Sequence, residues 1–219
     1  MEATDPKPLR AVIFAGGHLS AEPHIEPTDL VIAADSGYDL CHTLGFDVDL
    51  IVGDLDSITA EGLARATEAG VPIDRYPTDK DASDLELALQ AAVRAGAMQI
   101  AIYGGEGGRG AHLIAVALGL ASRAWEDIDL SWHIGNDTVH PVLPHRPLSL
   151  TAPHNTPITI LPVGDATGVT TIGLRWRLED DALPRGTSRG LSNIVQGGAY
   201  TISLTDGALL VIVEGPTPP

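Results

Sequence analysis

Ala33-Ala34-Asp35-Ser36-Gly37, Gly53-Asp54-Leu55-Asp56-Ser57 and Lys80-Asp81-Ala82-Ser83-Asp84-Leu85-Glu86 are segments of one stretch, and their reading decides the fold. The first two acidic clusters directly follow short apolar runs, residues 30–33 and 50–52, and the third follows residues 73–76 after a short gap. Short apolar runs that end in Gly and Asp, with helical patterns between them, predict parallel strands of an α/β sheet. Residues just past the strand ends of such a sheet share one edge, where ligands bind. Asp35, Asp54, Asp56, Asp81 and Asp84 are therefore expected to converge on one crevice. That is the outline of a metal-and-phosphate site.

The same pattern extends to both sides. Further strands are predicted at residues 11–14, ending in Gly16-Gly17, at 99–103 and at 128–134. Helices are predicted at 60–69, behind Thr59, at 84–95 and at 112–124. The helix at 84–95 is the clearest: Ser83 and Glu86 form a capping box, Leu85, Ala88, Leu89, Ala92 and Val93 form one stripe, and Gly96 ends it. Alternating strands and helices predict an N-terminal parallel-sheet α/β domain over residues 1–138.

Past Thr138 the texture changes. Pro141, Pro144, Pro147, Pro153, Pro157 and Pro162 exclude a long helix, and alternating apolar and hydroxyl residues lie between them. Strands are predicted at 157–163, 173–178, 199–204 and 208–213, with Thr205-Asp206-Gly207 as a turn. Residues 139–219 are thus expected to form a smaller all-β, sandwich-like domain.

Bulk properties narrow the function classes. The 219 residues are 44% hydrophobic and 19% charged, enough for a buried core. A formal charge of −16, from 29 acidic and 13 basic residues, argues against nucleic acid or an anionic membrane as partner. Cys41 is the sole cysteine, which excludes an internal disulfide and a cysteine-based zinc site. No run reaches the length of a membrane span, and residues 1–10 lack the apolar core of a signal peptide. A soluble, cytoplasmic protein is expected.

Several residues are candidates for chemistry. Asp54 and Asp56 are two apart, so in an extended segment their carboxylates point the same way, as Mg²⁺ bound with substrate phosphates requires. The plainer reading makes Asp54 a turn cap and Asp56 a helix cap; Asp81 and Asp84 likewise suit a helix N-terminus. Convergence of all five acids favours the cation. Lys80 is one of two lysines, with Lys7, and suits a phosphate; paired with Asp79 or Asp81 it would be ordinary surface. Gly105, Gly107 and Gly110 formally match a dinucleotide fingerprint, but on a late strand without the following acid. The loop Gly107-Gly108-Arg109 reads better as a phosphate cradle. Trp176, in an alternating strand, reads as core, and Ser192-Asn193 as a polar turn.

Taken in order, these residues resemble the thiamine pyrophosphokinase (thiamine diphosphokinase) family over nearly the whole chain. Residues 33–37 are similar to its A-D-G-G segment, 49–57 to D-x-I-x-G-D-x-D-S, 80–86 to K-D-x-T-D-x-E and 107–109 to its G-G-R loop. Residues 168–171, 173–176 and 192–193 resemble its thiamine-binding β domain. The resemblance implies pyrophosphoryl transfer from ATP to the thiamine hydroxyl, with release of AMP, in a homodimer whose active sites lie between subunits. It implies that Asp54, Asp56 and Asp84 organise Mg²⁺ and phosphates, and that Lys80 and Arg109 hold phosphate charge. Asp35, Asp81, Ser83, Gly107 and Gly108 would complete the nucleotide site. Trp176 would stack on the thiamine pyrimidine across the dimer, with Ser192 and Asn193 hydrogen-bonding it. One departure stands out: Ala111 occupies the place of the acid in G-G-R-x-D-H, and Val116 that of a following Asn. Either His112 or Glu106 compensates, or the accepted alcohol is different, or the chain is a weakly active or inactive relative that binds thiamine, its diphosphate or a nucleotide.

Overall fold

The computed structural model of the protein describes residues 9–107 and 110–216. They form two compact units that divide between residues 108 and 109.

The first unit is a five-stranded parallel sheet with helices. Its strands are β1 (Arg10–Ala15), β2 (Leu30–Ala34), β3 (Leu50–Gly53), β4 (Ile73–Arg75) and β5 (Gln99–Tyr103). They lie in the order β5-β1-β2-β3-β4, with Ala11 opposite Leu30 and Ile100. β1 to β3 bury almost every residue, because both sheet faces are covered. The chain progresses outward from β1 to β4 and then returns to β1's other side as β5, so the switch point lies between β1 and β5.

Three helices connect these strands. α1 (Gly37–Leu44) had no clear signal in the sequence, being short and opened by glycine; it buries Tyr38 and Cys41. α2 (Ala60–Glu68) is capped by Thr59, whose hydroxyl accepts from the Gly62 N–H at 2.9 Å. α3 (Asp84–Arg94) is capped by Ser83, which accepts from the Glu86 N–H as the capping pattern requires. Leu85, Ala88, Leu89 and Ala92 are buried.

The second unit opens with α4 (Gly110–Leu120), which stops short of the predicted residue 124 and is followed by a 3₁₀ turn at Arg123–Trp125 capped by Ser122. The remainder is antiparallel β. β6 (Asp129–Ile134), β7 (Asp137–Val142), β9 (Pro157–Pro162), β12 (Asn193–Ile194) and β14 (Leu209–Val213) lie in the order β12-β9-β14-β7-β6. β8 (Leu148–Thr151), β10 (Ala166–Ile172), β11 (Asp181–Leu183) and β13 (Ala199–Ser203) form a second sheet, β11-β10-β13-β8. One core joins them: Ile158, Ile160, Leu209 and Val211 from the first pack with Val169, Tyr200 and Ile202 from the second. This is the sandwich expected from the alternating pattern.

One predicted strand does not form. Residues 173–178 leave β10 as a loop, because Gly173 turns at φ +78° against the Ala199 carbonyl. The loop is tied across to the other sheet: the Arg175 N–H donates to the Ile194 carbonyl at 2.9 Å and the Gln196 N–H to the Gly173 carbonyl at 2.8 Å. No helix among the described residues is long and apolar enough to cross a membrane.

Candidate functional site

The carboxylates converge, though in a different set from the one that spacing suggests. Asp35, just past β2, Asp54, just past β3, and Asp84, first in α3, each offer an oxygen within 4.8 Å of the others. Asp35 and Asp54 are buried. Gly53 lies between them at φ +149°, where a Cβ would sit 3.0 Å from Asp84 Oδ1 and 3.2 Å from Asp35 Cβ, so only glycine lets the acids close up. Asp35 is fixed by the next loop, its two oxygens accepting from the Ser57 N–H at 3.3 Å and the Ile58 N–H at 3.1 Å. That loop is anchored in turn by Asp39 on α1, which accepts from the Thr59 N–H and hydroxyl, both at 2.8 Å. Asp39 gave no signal in the sequence, because its partner lies twenty residues away.

Asp56 is not part of this cluster. β3 ends at Gly53 and Leu55 turns at φ +67°, so the segment is not extended and the two-residue alternation does not apply. Asp56 is exposed; its N–H donates to Asp54 Oδ1 at 3.3 Å and its carboxylate accepts from the Ser57 hydroxyl at 2.9 Å. Asp81 is also exposed, and Ser83 serves the α3 cap.

Lys80 pairs with neither sequence neighbour. Its Nζ donates to Asp54 Oδ2 at 2.8 Å and stands 3.0 Å from Asp84 Oδ1, so it is the internal counter-ion of the acids. The Asp84 contact is ionic but misdirected for a hydrogen bond, and that buried oxygen has no donor. Burial, then the Asp84 charge, push the Asp35 carboxyl above the usual range despite its two backbone donors. The Lys80 hydrogen bond holds Asp54 below it. Burial works against the Lys80 charge, but Asp54 and Asp84 outweigh burial and raise its pKa. Two buried acids and a half-buried third, one of them reluctant to ionise, fit a hard divalent cation bound through oxygen.

The loops at the β1/β5 switch point are stitched together. The His18 N–H donates to the Glu106 carbonyl at 2.8 Å, and the Glu106 carboxylate accepts from the Ser20 N–H and hydroxyl at 3.2 and 3.0 Å. Gly107 follows, at φ +73°. Gly108 and Arg109 lie outside the described residues.

In the second unit, Trp176 is no core residue: 53% exposed, it borders a cavity of about 400 Å³. Buried Asn193 holds its backbone, accepting through Oδ1 from the Trp176 N–H (3.0 Å) and Ile194 N–H (2.9 Å) and donating through Nδ2 to the Trp176 carbonyl (2.7 Å). Ser192 is exposed at φ +56°, its N–H donating to the Thr159 hydroxyl. Arg175, Arg177 and Arg189 also line the cavity, and sequence reading did not single them out.

The α/β unit thus carries an acidic cluster that suits a divalent cation, and the β-sandwich unit an open cavity beside an exposed aromatic ring. The chain belongs to the thiamin pyrophosphokinase family: residues 22–129 match the family's catalytic domain and residues 150–209 its vitamin B1 binding domain. Solved structures share the fold. Thiamine pyrophosphokinase from Bacillus subtilis is 24% identical, with a TM-score of 0.83 over 95% of this chain and 100% of that one. Thiamin pyrophosphokinase from Candida albicans is 12% identical, with a TM-score of 0.77 over 95% and 90%. The yeast enzyme is 16% identical, with a TM-score of 0.70 over 97% and 88%. Comparison with curated protein sequences gives no match.

Proposed function

We propose that the protein is a Mg²⁺-dependent thiamine diphosphokinase that transfers a pyrophosphoryl group from ATP to the thiamine hydroxyl. The observation that carries this reading is the cluster of buried Asp35 and Asp54 with half-buried Asp84, each offering an oxygen within 4.8 Å of the others. The thiamine hydroxyl oxygen bonds to the β-phosphorus, the bond from that phosphorus to the bridging oxygen of AMP breaks, and AMP leaves with that oxygen. The hydroxyl proton passes to solvent. Bound Mg²⁺ would neutralise phosphate oxygens as this charge shifts. Asp54 and Asp84, with Asp35, would hold the ion; Asp56, outside the cluster, would act through the loop it shares with Asp54.

Lys80 is charged and already at the cluster, so turning to phosphate requires only exchange of one anionic partner for another. Arg109, Gly107 and Gly108 would cradle phosphate, with Asp81 and Ser83 at the nearby start of α3. Trp176 would stack the thiamine pyrimidine, with Ser192 beside it and Asn193 holding the platform in place. The functional division near residue 138, a homodimer in which Trp176 serves the neighbouring subunit, and a cytoplasmic setting belong to the same proposal. AMP release from ATP, thiamine and Mg²⁺ tests it. Asp54→Asn should abolish release in a chain that remains folded, and near-native activity in that variant would remove the metal assignment.

Ala111 supports a second reading, a weakly active or inactive relative that binds thiamine, thiamine diphosphate or nucleotide. Glu106 is already committed to Ser20. If the missing acid limits turnover, Ala111→Asp at the start of α4 raises kcat, by up to about 10²-fold for a positioned acid–base group. If His112 has taken its place, His112→Ala is crippling and Ala111→Asp neutral.

A further inference from the structure

Two acids grip the same loop, Asp35 just before α1 and Asp39 in its first turn. Asp35 accepts from the Ser57 and Ile58 N–H groups at 3.3 and 3.1 Å, whereas Asp39 accepts from the Thr59 N–H and hydroxyl at 2.8 Å each. The first two bonds are long for charge-assisted ones and the second two are of full strength. The loop begins at Asp54, whose Oδ1 accepts from the Asp56 N–H, so the loop's position sets where that carboxylate stands. A cation at the cluster competes with the Ser57 and Ile58 N–H groups for the Asp35 oxygens. Asp39 lies outside the cluster and keeps its bonds when the ion arrives.

Gly62 is an independent mark of the same contact. It stands inside α2, where glycine is less favourable than alanine. A Cβ there would lie 2.0 Å from Asp39 Oδ1 and 3.0 Å from Thr59 Oγ1, so only glycine leaves room for the two side chains to meet. Arg65 also approaches Asp39, at 3.5 Å, but it is partly exposed, and such pairs are weak. The two short bonds to Thr59 therefore carry the contact.

We infer that Asp39 is a positioning residue for the cation: by fixing Thr59 it holds the Asp54 loop in place while Asp35 exchanges backbone hydrogen bonds for the metal. The inference rests on the reading of Asp35, Asp54 and Asp84 as a cation site.

The test is Mn²⁺ titration of the full chain without nucleotide, the free ion being read by electron paramagnetic resonance at a temperature where every variant is folded. Mn²⁺ shares the preference of Mg²⁺ for oxygen ligands. Binding that Asp54→Asn removes defines the site. Asp39→Ala should weaken that binding about tenfold, as loss of an outer support of a metal ligand does. Gly62→Ala should weaken it similarly although it removes no polar atom and no charge, because the new Cβ displaces the Asp39 carboxylate. This variant carries the test if Asp39→Ala does not fold. Asp39→Asn should bind like the parent, its amide oxygen accepting from the Thr59 N–H and its amide nitrogen donating to the hydroxyl oxygen. Leu63→Ala, which thins the packing of α2, should lower stability and leave Mn²⁺ affinity unchanged. Parent affinity in Asp39→Ala or Gly62→Ala makes Asp39 a structural group only and overturns the inference. A loss in Asp39→Asn as large as in Asp39→Ala assigns the effect to charge, and an equal loss in Leu63→Ala assigns it to general loosening of α2; either overturns positioning and leaves the cation site standing. A parent chain without Mn²⁺ binding that Asp54→Asn removes overturns the cation reading and the inference with it.

Discussion

Lys80 is the residue on which the acidic cluster balances. With the lysine present, Asp54 and Asp84 share a buried cation; without it, the acids face one another. Lys80→Met should therefore destabilise the metal-free chain by about 1.5–3 kcal/mol, the loss of a charge-assisted hydrogen bond at a partly shielded site, and added Mg²⁺ should restore part of it. Urea unfolding with and without Mg²⁺ measures both. Asp35→Asn relieves the charge but sets an amide donor against the Ser57 or Ile58 N–H, so its two effects oppose. The pH dependence separates the two effects. Asp54 is depressed, so its contribution is present above the ordinary carboxylate value of 3.8 and is lost as pH falls through its lower folded value. Asp35 is raised, so its ionised form costs stability at neutral pH, and acidification through its folded value down to 3.8 removes that cost. The stability of Asp35→Asn relative to the parent should thus be most favourable near pH 7 and fall as pH drops to about 3.8, leaving the cost of the lost acceptor. Lys80 is raised, so its contribution holds below 10.5 and is lost as pH rises through its higher folded value. Elsewhere, the buried Tyr200 hydroxyl has no partner and burial pushes its pKa up to about 12. Tyr200→Phe should raise stability by about 1 kcal/mol in the same assay.

The loop between β10 and β11 shows how a recognition surface is held without being part of the core. Asn193 binds both polar groups of the Trp176 backbone, while the Thr171 hydroxyl accepts from the Leu178 N–H at 2.9 Å. Asn193→Ala leaves buried groups unsatisfied and should cost about 2–3 kcal/mol of stability, with thiamine binding weakened in parallel. Trp176→Ala should weaken thiamine binding by about 1–3 kcal/mol and leave stability unchanged, since the ring is half-exposed. ATP binding should stay the same in both, and calorimetry with each ligand distinguishes loss of the platform from loss of its support.

A chain carrying −16 charges repels its own copies, so a homodimer needs a surface without charge. α4 provides one. It contains no Asp, Glu, Lys or Arg, it exposes Leu113, Ile114 and Leu118, and Leu120 is its one buried residue. Charge-free helical surface of this kind suits an identical partner better than a basic one. Ile114→Glu should shift a dimer toward monomer at micromolar concentration, as read by light scattering. A wild-type monomer would remove the homodimer proposal itself.

The sequence alone determined what local pattern can carry. β1 to β3 and β5 were legible as apolar runs, α3 as a capped amphipathic helix, and the two-part organisation as a change from alternating helices to proline-broken strands. Asp35, Asp54 and Asp84 were marked by their positions after a strand or at a helix start. What the tertiary structure decided is everything that depends on backbone turning or on distant partners. Gly53 and Leu55 rotate the Asp54 loop, so Asp56, expected beside Asp35, Asp54 and Asp84, is left outside the cluster. Lys80 chooses Asp54, across the sheet edge, over the acids beside it, because a buried carboxylate holds a cation better than a solvated one. Gly173 turns a strand-like run into a loop, and the asparagine that exposes Trp176 lies seventeen residues further on. Periodicity reports which face of an element is buried. It carries no record of which residues meet once the elements have packed.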